Sequence, residues 1–295
     1  MASRSDHARF GFLVVWTFIQ TASAAPGTPV KLTTWNLDWL TLLPASSPLL
    51  PEDAPHRNTR DWQALQTYAD RLNADILAVQ EVSDETALRQ LFPSPVYSIA
   101  LTHAPIAQNL GVVLRKPWHI NSVISLQAFD RSSFHGGHAL RPAMDATVSD
   151  GSTILRLLAV HLKSGCWDRS WTERDHACPI LREQITLVAN WMAEREDEGE
   201  PYIVLGDFNR RLTLTDPYYR QMSETLSPVL ATAGHASPCE GGTYFIDHIV
   251  IGGPIRSWLI PDSLRVMTYA DNGGYLLSDH CPVSVKILVP ARAKR

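Results

Sequence analysis

Six times along this 295-residue chain an apolar run stops at a polar residue able to do chemistry. The runs end at Asn36 and Asp38, at Gln80-Glu81, at His161, at Asp207-Phe208-Asn209, at Asp247-His248 and at Asp279-His280. A buried strand does not carry a charge at its end without a partner or a metal, because the desolvated ion would otherwise be uncompensated. Taken singly, each end is unremarkable, since an Asp after a strand is usually a turn former or a helix cap. Taken together, six such ends converging on one rim would build a cluster of carboxylates, imidazoles and amides. Like carboxylates crowd only where a cation or protons neutralise them, and hard oxygen donors favour Mg²⁺, Mn²⁺ or Ca²⁺ over zinc. Histidines in such a cluster, with an unperturbed pKa of ~6.5, can give or take a proton near neutral pH.

These residues can meet only if the elements beneath them converge. Residues 30–35 and 75–80 read as strands, the second almost wholly apolar and so expected to be buried on both faces. Between them Trp62, Leu65, Tyr68/Ala69 and Leu72 recur at helical spacing, with Thr59 or Asp61 placed to cap the start. Residues 110–114, 120–126, 143–148 and 153–160 continue as strands. A second helix is expected over 179–198, with Leu181, Ile185, Val188 and Met192 on one face and Gly199 to end it. Residues 202–205, 245–251 and 282–289 are again strand-like. Mixed strands with few helices predict two stacked sheets with helices outside, in one domain over residues 30–290, followed by a frayed basic tail.

Composition bounds the rest. With 45% apolar and 19% charged residues, the chain is neither disordered nor a disulfide mini-scaffold. Its net charge of −4 gives no bulk attraction to polyanions, so any nucleic-acid contact must come from a local patch. Residues 1–24 read as a signal peptide: Arg4 and Arg9, an apolar run over 10–19, then Ala22-Ser23-Ala24 for cleavage. The run is short for a membrane anchor, which needs ~20 apolar residues. An exported protein without a stable anchor after cleavage, in the periplasm or the medium, is the expectation. Four cysteines suit that compartment. Three pairings are open; Cys166–Cys178 with Cys239–Cys281 is the expected one, and no C-x₂-C pair supports zinc.

The ordered string W-N-x-D, Q-E, H-x-K-S, G-D-F-N, I-D-H and S-D-H, spread between Lys31 and Val289, resembles the endonuclease/exonuclease/phosphatase superfamily, and its pancreatic-type deoxyribonuclease branch in particular. The resemblance implies an α/β fold: a four-layer α-β-β-α sandwich of two mixed, mainly antiparallel sheets packed face to face with outer helices. It also implies phosphate-ester hydrolysis with a divalent metal, Mg²⁺ first, Mn²⁺ or Ca²⁺ otherwise. By the same resemblance Glu81 is a metal ligand, with Asn36 beside it and Asp279 completing the shell. Asp207 and Asn209 match the pair that orients the attacking water and a phosphate oxygen. His280 matches the histidine on the scissile phosphate, held by Asp247 as a His–Asp dyad. His161 matches the histidine of the deoxyribonuclease and sphingomyelinase branches, where the apurinic-site branch has tyrosine. Asp38, Arg141 and Lys163 are looser matches toward substrate. Such hydrolysis needs an aligned water, a cation on a non-bridging oxygen and stabilisation of the leaving alkoxide.

Other residues stay at the edge of this picture. His248 should point to the opposite face from Asp247 and serve structure. The segment 134–138 reads as a solvated turn rather than a substrate loop. Trp167, Arg169, Trp171 and Arg174 form a set that either stacks a base and grips phosphates or packs under a stapled loop, with packing favoured. The expected activity is that of an exported, monomeric nuclease acting on DNA or RNA. A sphingomyelinase-like or inositol phosphoesterase is the alternative, and a catalytically silent binding protein is the alternative of another class. A lipid-directed enzyme would show an apolar insertion hairpin, for which residues 39–43 and 269–277 are the candidates.

Overall fold

The computed structural model describes residues 27–132, 139–175, 177–239, 241–269 and 273–291. The expected signal peptide, the 134–138 turn and most of the basic tail lie outside them. The strands that matter for the site are β1 (Gly27–Leu40), β2 (Ile76–Val82), β7 (Ile154–His161), β8 (Tyr202–Asp207), β10 (Asp247–Gly252) and β12 (Val283–Pro290). Two six-stranded sheets form the body, one in the order β11 (Arg265–Val266), β12, β1, β2, β4 (Asn109–Arg115), β3 (Tyr97–Leu101) and the other in the order β5 (His119–Leu126), β6 (Ala143–Ser149), β7, β8, β10, β9 (Val229–Leu230). Pairs β1–β2 and β7–β8 are parallel, and all other pairs are antiparallel. Each parallel pair is joined through a helix, α1 (Thr59–Leu72) and α3 (Cys178–Asp197), as a parallel connection requires. Two short helices, α2 (Glu85–Arg89) and α4 (Pro217–Ser223), complete the outer layers.

The alternation of side chains along a strand explains why these segments are almost wholly apolar. Val30, Leu32, Ile76, Ala78, Leu157, Ala159, Ile203, Leu205, Ile249 and Ile251 meet in the core between the sheets. The intervening residues face outward. Trp35, Leu77 and Val79 pack with Leu65, Ala69 and Leu72 of α1, while Leu158, Val160, Val204 and Val250 pack with Leu181, Ile185 and Val188 of α3. The result is the expected four-layer α-β-β-α sandwich, open at its edges.

Local chemistry sets the helix ends. Asn58 caps α1, in place of the expected Thr59 or Asp61. Its side chain accepts from the backbone of Arg60 and Asp61, and Asp61 returns a bond to the Asn58 N–H at 2.8 Å, which makes Asp61 the reciprocal partner of a capping box. Helix α3 ends at Gly199, whose φ of 67° admits the left-handed turn expected there. Disulfides join Cys166 to Cys178 and Cys239 to Cys281, with Cα atoms 5.1 and 6.1 Å apart. No helix among the described residues is long and apolar enough to cross a membrane.

Candidate active site

Topology alone carries the polar residues to one rim. The carboxyl ends of β1, β2, β7 and β8 lie at the same edge, because each parallel pair runs in one direction. Strand β10 is antiparallel to β8 and β12 to β1, so their amino ends, with Asp247 and the Asp279-His280 segment, arrive at that edge too. Register finishes the placement: His161 pairs with Asp207, and Asp247 pairs with Asp207 from the other side. These three positions continue the alternation that faces the opposite sheet, as does Asn36 on β1. The site therefore forms where the inter-sheet core gives way to solvent.

Glu81 does not follow from alternation. Its place in the series 77, 79, 81 would send it toward α1. A register shift between β2 and β4, with a positive φ of 61° at Glu81, turns its carboxylate into the cleft instead. Asp38, Trp39 and Asn209 also have positive φ values (46°, 54° and 50°). Non-glycine residues held there are strained, and strain of this kind concentrates at functional sites. Gly206 makes the β7–β8 contact possible, since a Cβ at that position would lie 1.9 Å from the Val160 carbonyl oxygen.

The assembled cluster is continuous. Asn36 Nδ2 donates to Glu81 Oε1 (3.1 Å) and to Asp207 Oδ2 (3.3 Å), and so ties the two sheets. The amide oxygen of Asn36 accepts the Asp38 N–H (3.0 Å), and Glu81 Oε2 accepts the Trp39 N–H (3.2 Å). His161 Nε2 stands 3.5 Å from Asp207 and 3.7 Å from Glu81, while its buried Nδ1 has no hydrogen-bond partner among the described residues. His280 Nδ1 meets Asp247 Oδ2 at 2.7 Å, and its Nε2 faces Asp207 at 3.8 Å. Asn209 Nδ2 is held by the Leu162 carbonyl (3.0 Å) and by Asp207 (3.2 Å). Donor atoms of Asp207, Asp247 and His280 lie within 4.8 Å of one another, a spacing at which a cation could sit.

Burial and the charges at the rim together push pKa values apart. Burial raises Asp207 to about 7, with Asp247 and Glu81 adding to the effect and His280 opposing it. Burial likewise raises Asp38 to about 6, helped by Asp279 and Glu81 against the pull of Arg57. The two histidines diverge. Burial, then Arg141, His280 and Lys163, hold His161 well below 6.5. Burial also disfavours charge on His280, but Asp247, Asp207 and Asp279 outweigh it and lift it well above 6.5.

A cleft of about 440 Å³ opens over this row. Glu81, Arg141, His161, Asp207, Asn209, Asp279 and His280 line it, while Asn36 and Asp247 are buried beside it. Arg141 donates to the Leu162 carbonyl (3.1 Å), and its buried Nε has no partner among the described residues. Lys163 is outside the lining and gives its ammonium to the Ser164 carbonyl (3.1 Å). Asp38 sits 3.8 Å from Arg57, also outside the lining. His248 faces away from the cleft as expected. It is fully buried between the Thr232 hydroxyl (2.6 Å from Nδ1) and the Arg210 carbonyl (2.9 Å from Nε2), and burial pushes its pKa down to about 4.

Several contributors carried little or no readable signal. The guanidinium of Arg57 is buried and donates to the carbonyls of Leu37, Asp38, Trp39 and Leu277, which clamps the loop after Asn36 to the loop before Asp279. Ser278 Oγ donates to the Asn36 carbonyl (2.8 Å) and accepts the His280 N–H (3.0 Å). Tyr269 donates to the His280 carbonyl (2.8 Å). Gln108, Ser164, Trp167 and Arg211 complete the cleft wall. Of these, Ser164 had a signal in closing the H-x-K-S run after His161, Trp167 in its proximity to Arg169, and Arg211 in directly following the G-D-F-N-R run.

No curated protein matches the sequence significantly. Among solved structures the fold is similar to that of truncated Caenorhabditis elegans TDP2, at 16% identity and a TM-score of 0.62, covering 90% of this chain and 100% of that one. It is also similar to D. rerio TDP2 complexed with single-strand DNA product (16%, TM-score 0.61, 88% and 98% covered). The human Nocturnin catalytic domain with bound sulfate anion is a third (14%, TM-score 0.56, 90% and 96%). The model of the endonuclease/exonuclease/phosphatase family matches residues 33–280, a span that begins on β1 and ends at His280. The chain belongs to that family.

Proposed function

We propose that this protein is an exported, metal-dependent phosphodiesterase that hydrolyses DNA or RNA. The observation that carries the reading is the cluster in which His161, Asp207 and Asp247 on one sheet face Glu81, and His280 from the segment leading into β12, across the seam from the other. A divalent cation fits the donor set: the oxygens are hard, and a dication would offset the burial and, after it, the like-charge crowding that raise Asp38 and Asp207. Glu81, with Asn36 beside it and Asp279 on the cleft wall, would hold it. Bound there, it would polarise a phosphate oxygen and make a water more acidic.

The chain's own groups supply the rest. Asp207 and Asn209 orient the attacking water. His280 holds a proton on Nε2 toward the phosphate, with Asp247 fixing its ring through Nδ1. His161 stays neutral and adds a hydrogen bond at the same phosphate. Arg141 offers its guanidinium to a non-bridging oxygen. Two histidines driven to opposite protonation states suit a reaction that needs both a donor and an acceptor.

Nucleic acid is favoured over lipid by the surface. Within residues 39–43 only Leu42 is exposed, and in the second candidate hairpin Leu276 is the exposed large hydrophobic among the described residues. Among the described residues neither presents a run of exposed apolar side chains, whereas the cleft is lined by Arg141, Arg211 and a half-exposed Trp167. Two disulfides support export to an oxidising compartment. The test is a substrate panel of plasmid DNA, single-stranded RNA, sphingomyelin and an inositol phosphate, each with Mg²⁺ and with excess EDTA. Mg²⁺-dependent loss of either nucleic acid is expected. Turnover of sphingomyelin or the inositol phosphate alone overturns the substrate, and activity that persists in EDTA overturns the metal.

A further inference from the structure

Beside the main cleft lies a second cavity of about 720 Å³, and Arg211 lines both. Each chamber presents one exposed aromatic ring: Trp167 (46% exposed) in the first and Tyr244 (48%) in the second. The sequence left Trp167 and Trp171 with a choice between packing and stacking, and they divide. Trp171 packs edge-on against Tyr218 at 4.9 Å, with Arg182 over its face. Trp167 has no such ring partner among the described residues. Its indole N–H donates to Asn209 Oδ1 at 3.3 Å, which leaves a large face toward solvent beside the reacting groups.

That ring is held firmly. Cys166 before it is bridged to Cys178, and Arg210 donates to the carbonyls of Cys166 (2.7 Å) and Arg169 (2.8 Å) while paired with Asp216. The Arg211 N–H donates to the Trp167 carbonyl at 2.9 Å. Arg211 itself is weakly engaged: Nη1 reaches Asp168 only at 3.5 Å, and Nε has no hydrogen-bond partner among the described residues. The segment carrying Tyr244 is closed by the Ala236–Tyr244 bridge, and Cys239 ties it to Cys281, directly after His280. An exposed ring in each cavity, with a weakly engaged guanidinium lining both, offers in order the partners that a base, a phosphate and a second base would take.

We propose that Trp167, Arg211 and Tyr244 form an extended subsite that grips the nucleotides flanking the scissile bond by base stacking and one phosphate contact, and that the substrate is therefore single-stranded polynucleotide. A base can lie flat on either ring only if it is unpaired and unstacked from its neighbours, which a duplex does not offer. This rests on the nuclease reading above.

The experiment compares kcat/KM for a single-stranded 20-mer, the same sequence as a duplex, and bis(p-nitrophenyl) phosphate, which has no base and no second phosphate. Wild type should prefer the single strand by at least tenfold. Tyr244→Ala should lose most of that preference while its rates on duplex and on bis(p-nitrophenyl) phosphate stay within twofold. Trp167→Ala should lose the preference too, and Trp167→Phe should recover much of it, because a ring without the indole N–H can still stack. A duplex cleaved as fast as the single strand, or a preference unchanged in Tyr244→Ala and Trp167→Ala, overturns the subsite and leaves the nuclease standing. Turnover of bis(p-nitrophenyl) phosphate with neither nucleic acid cleaved overturns both.

Discussion

At the scale of single residues, the site depends on His280 and Asp247 acting as one unit. Their 2.7 Å contact spends Nδ1 on orientation and leaves Nε2 for chemistry. If Asp247 works only by fixing and charging that ring, its value disappears when the ring does. His280→Ala is expected to cost about 10²–10⁴ in kcat, the usual worth of a positioned acid or base. Asp247→Asn should cost a comparable amount alone and almost nothing more in the His280→Ala background. Steady-state kinetics of the two single variants and the double variant check this. Additive losses would mean that Asp247 has work independent of His280, such as holding a cation with Asp207. His248, one residue along, marks the boundary of the site. Its neutral ring is spent on Thr232 and Arg210, on the helix side of the sheet.

At the scale of elements, Gly206 decides whether β7 and β8 can close and so whether His161 stands beside Asp207. With φ at 148° and no room for a Cβ against the Val160 carbonyl, Gly206→Ala must either strain the backbone or part the strands. Overpacking and backbone strain each cost ~1–3 kcal/mol, so a loss of roughly 3 kcal/mol is expected. Activity should fall further than stability explains, because His161 and Asp207 move apart. Denaturant melts and kinetics at a temperature where the variant is fully folded separate the two; a variant as stable as wild type would refute the close approach. This glycine sits inside the G-D-F-N motif, and the sequence made the motif visible without its reason. Strand ends were legible because apolar runs stop abruptly, and the face of each polar residue follows from counting back along the run. That counting places Asn36, His161, Asp207 and Asp247 on the inter-sheet side and His248 on the other. It fails at Glu81, where a register shift and a left-handed residue reverse the count, and nothing in Val79-Gln80-Glu81-Val82 announces a bulge. It is silent on Arg57, whose partners are backbone carbonyls and leave no mark on residue types. The edge strands β3 (Tyr97–Leu101), β9 (Val229–Leu230) and β11 (Arg265–Val266) were missed because they are short or weakly patterned.

At the scale of the molecule, two sheets are pressed together by an apolar core and pushed apart at one rim. Glu81 and Asp38 belong to one sheet, Asp207 and Asp247 to the other, and the ties across the seam are the amide of Asn36, the 2.7 Å pair of His280 with Asp247, and the longer contacts of His161 with Glu81 and of His280 with Asp207. A dication at the rim would turn that repulsion into attraction, so it should stabilise the whole fold and not only enable turnover. The size follows from mass action. At a free concentration about 100 times Kd, an ion that binds only the folded state adds about 2.7 kcal/mol. For a chain of this size each kcal/mol is worth roughly 2–4 °C, which gives a rise of about 5–10 °C in Tm. Thermal melts in EDTA and in millimolar Mg²⁺, Mn²⁺ or Ca²⁺ measure it directly, with no substrate assumed. Glu81→Gln should remove the increment, since it deletes the charge that would face the ion, whereas Asp216→Asn, whose carboxylate serves Arg210 away from the rim, should keep it. A Tm that ignores all three cations, or an increment intact in Glu81→Gln, would mean that protons rather than a metal balance the carboxylates at this seam.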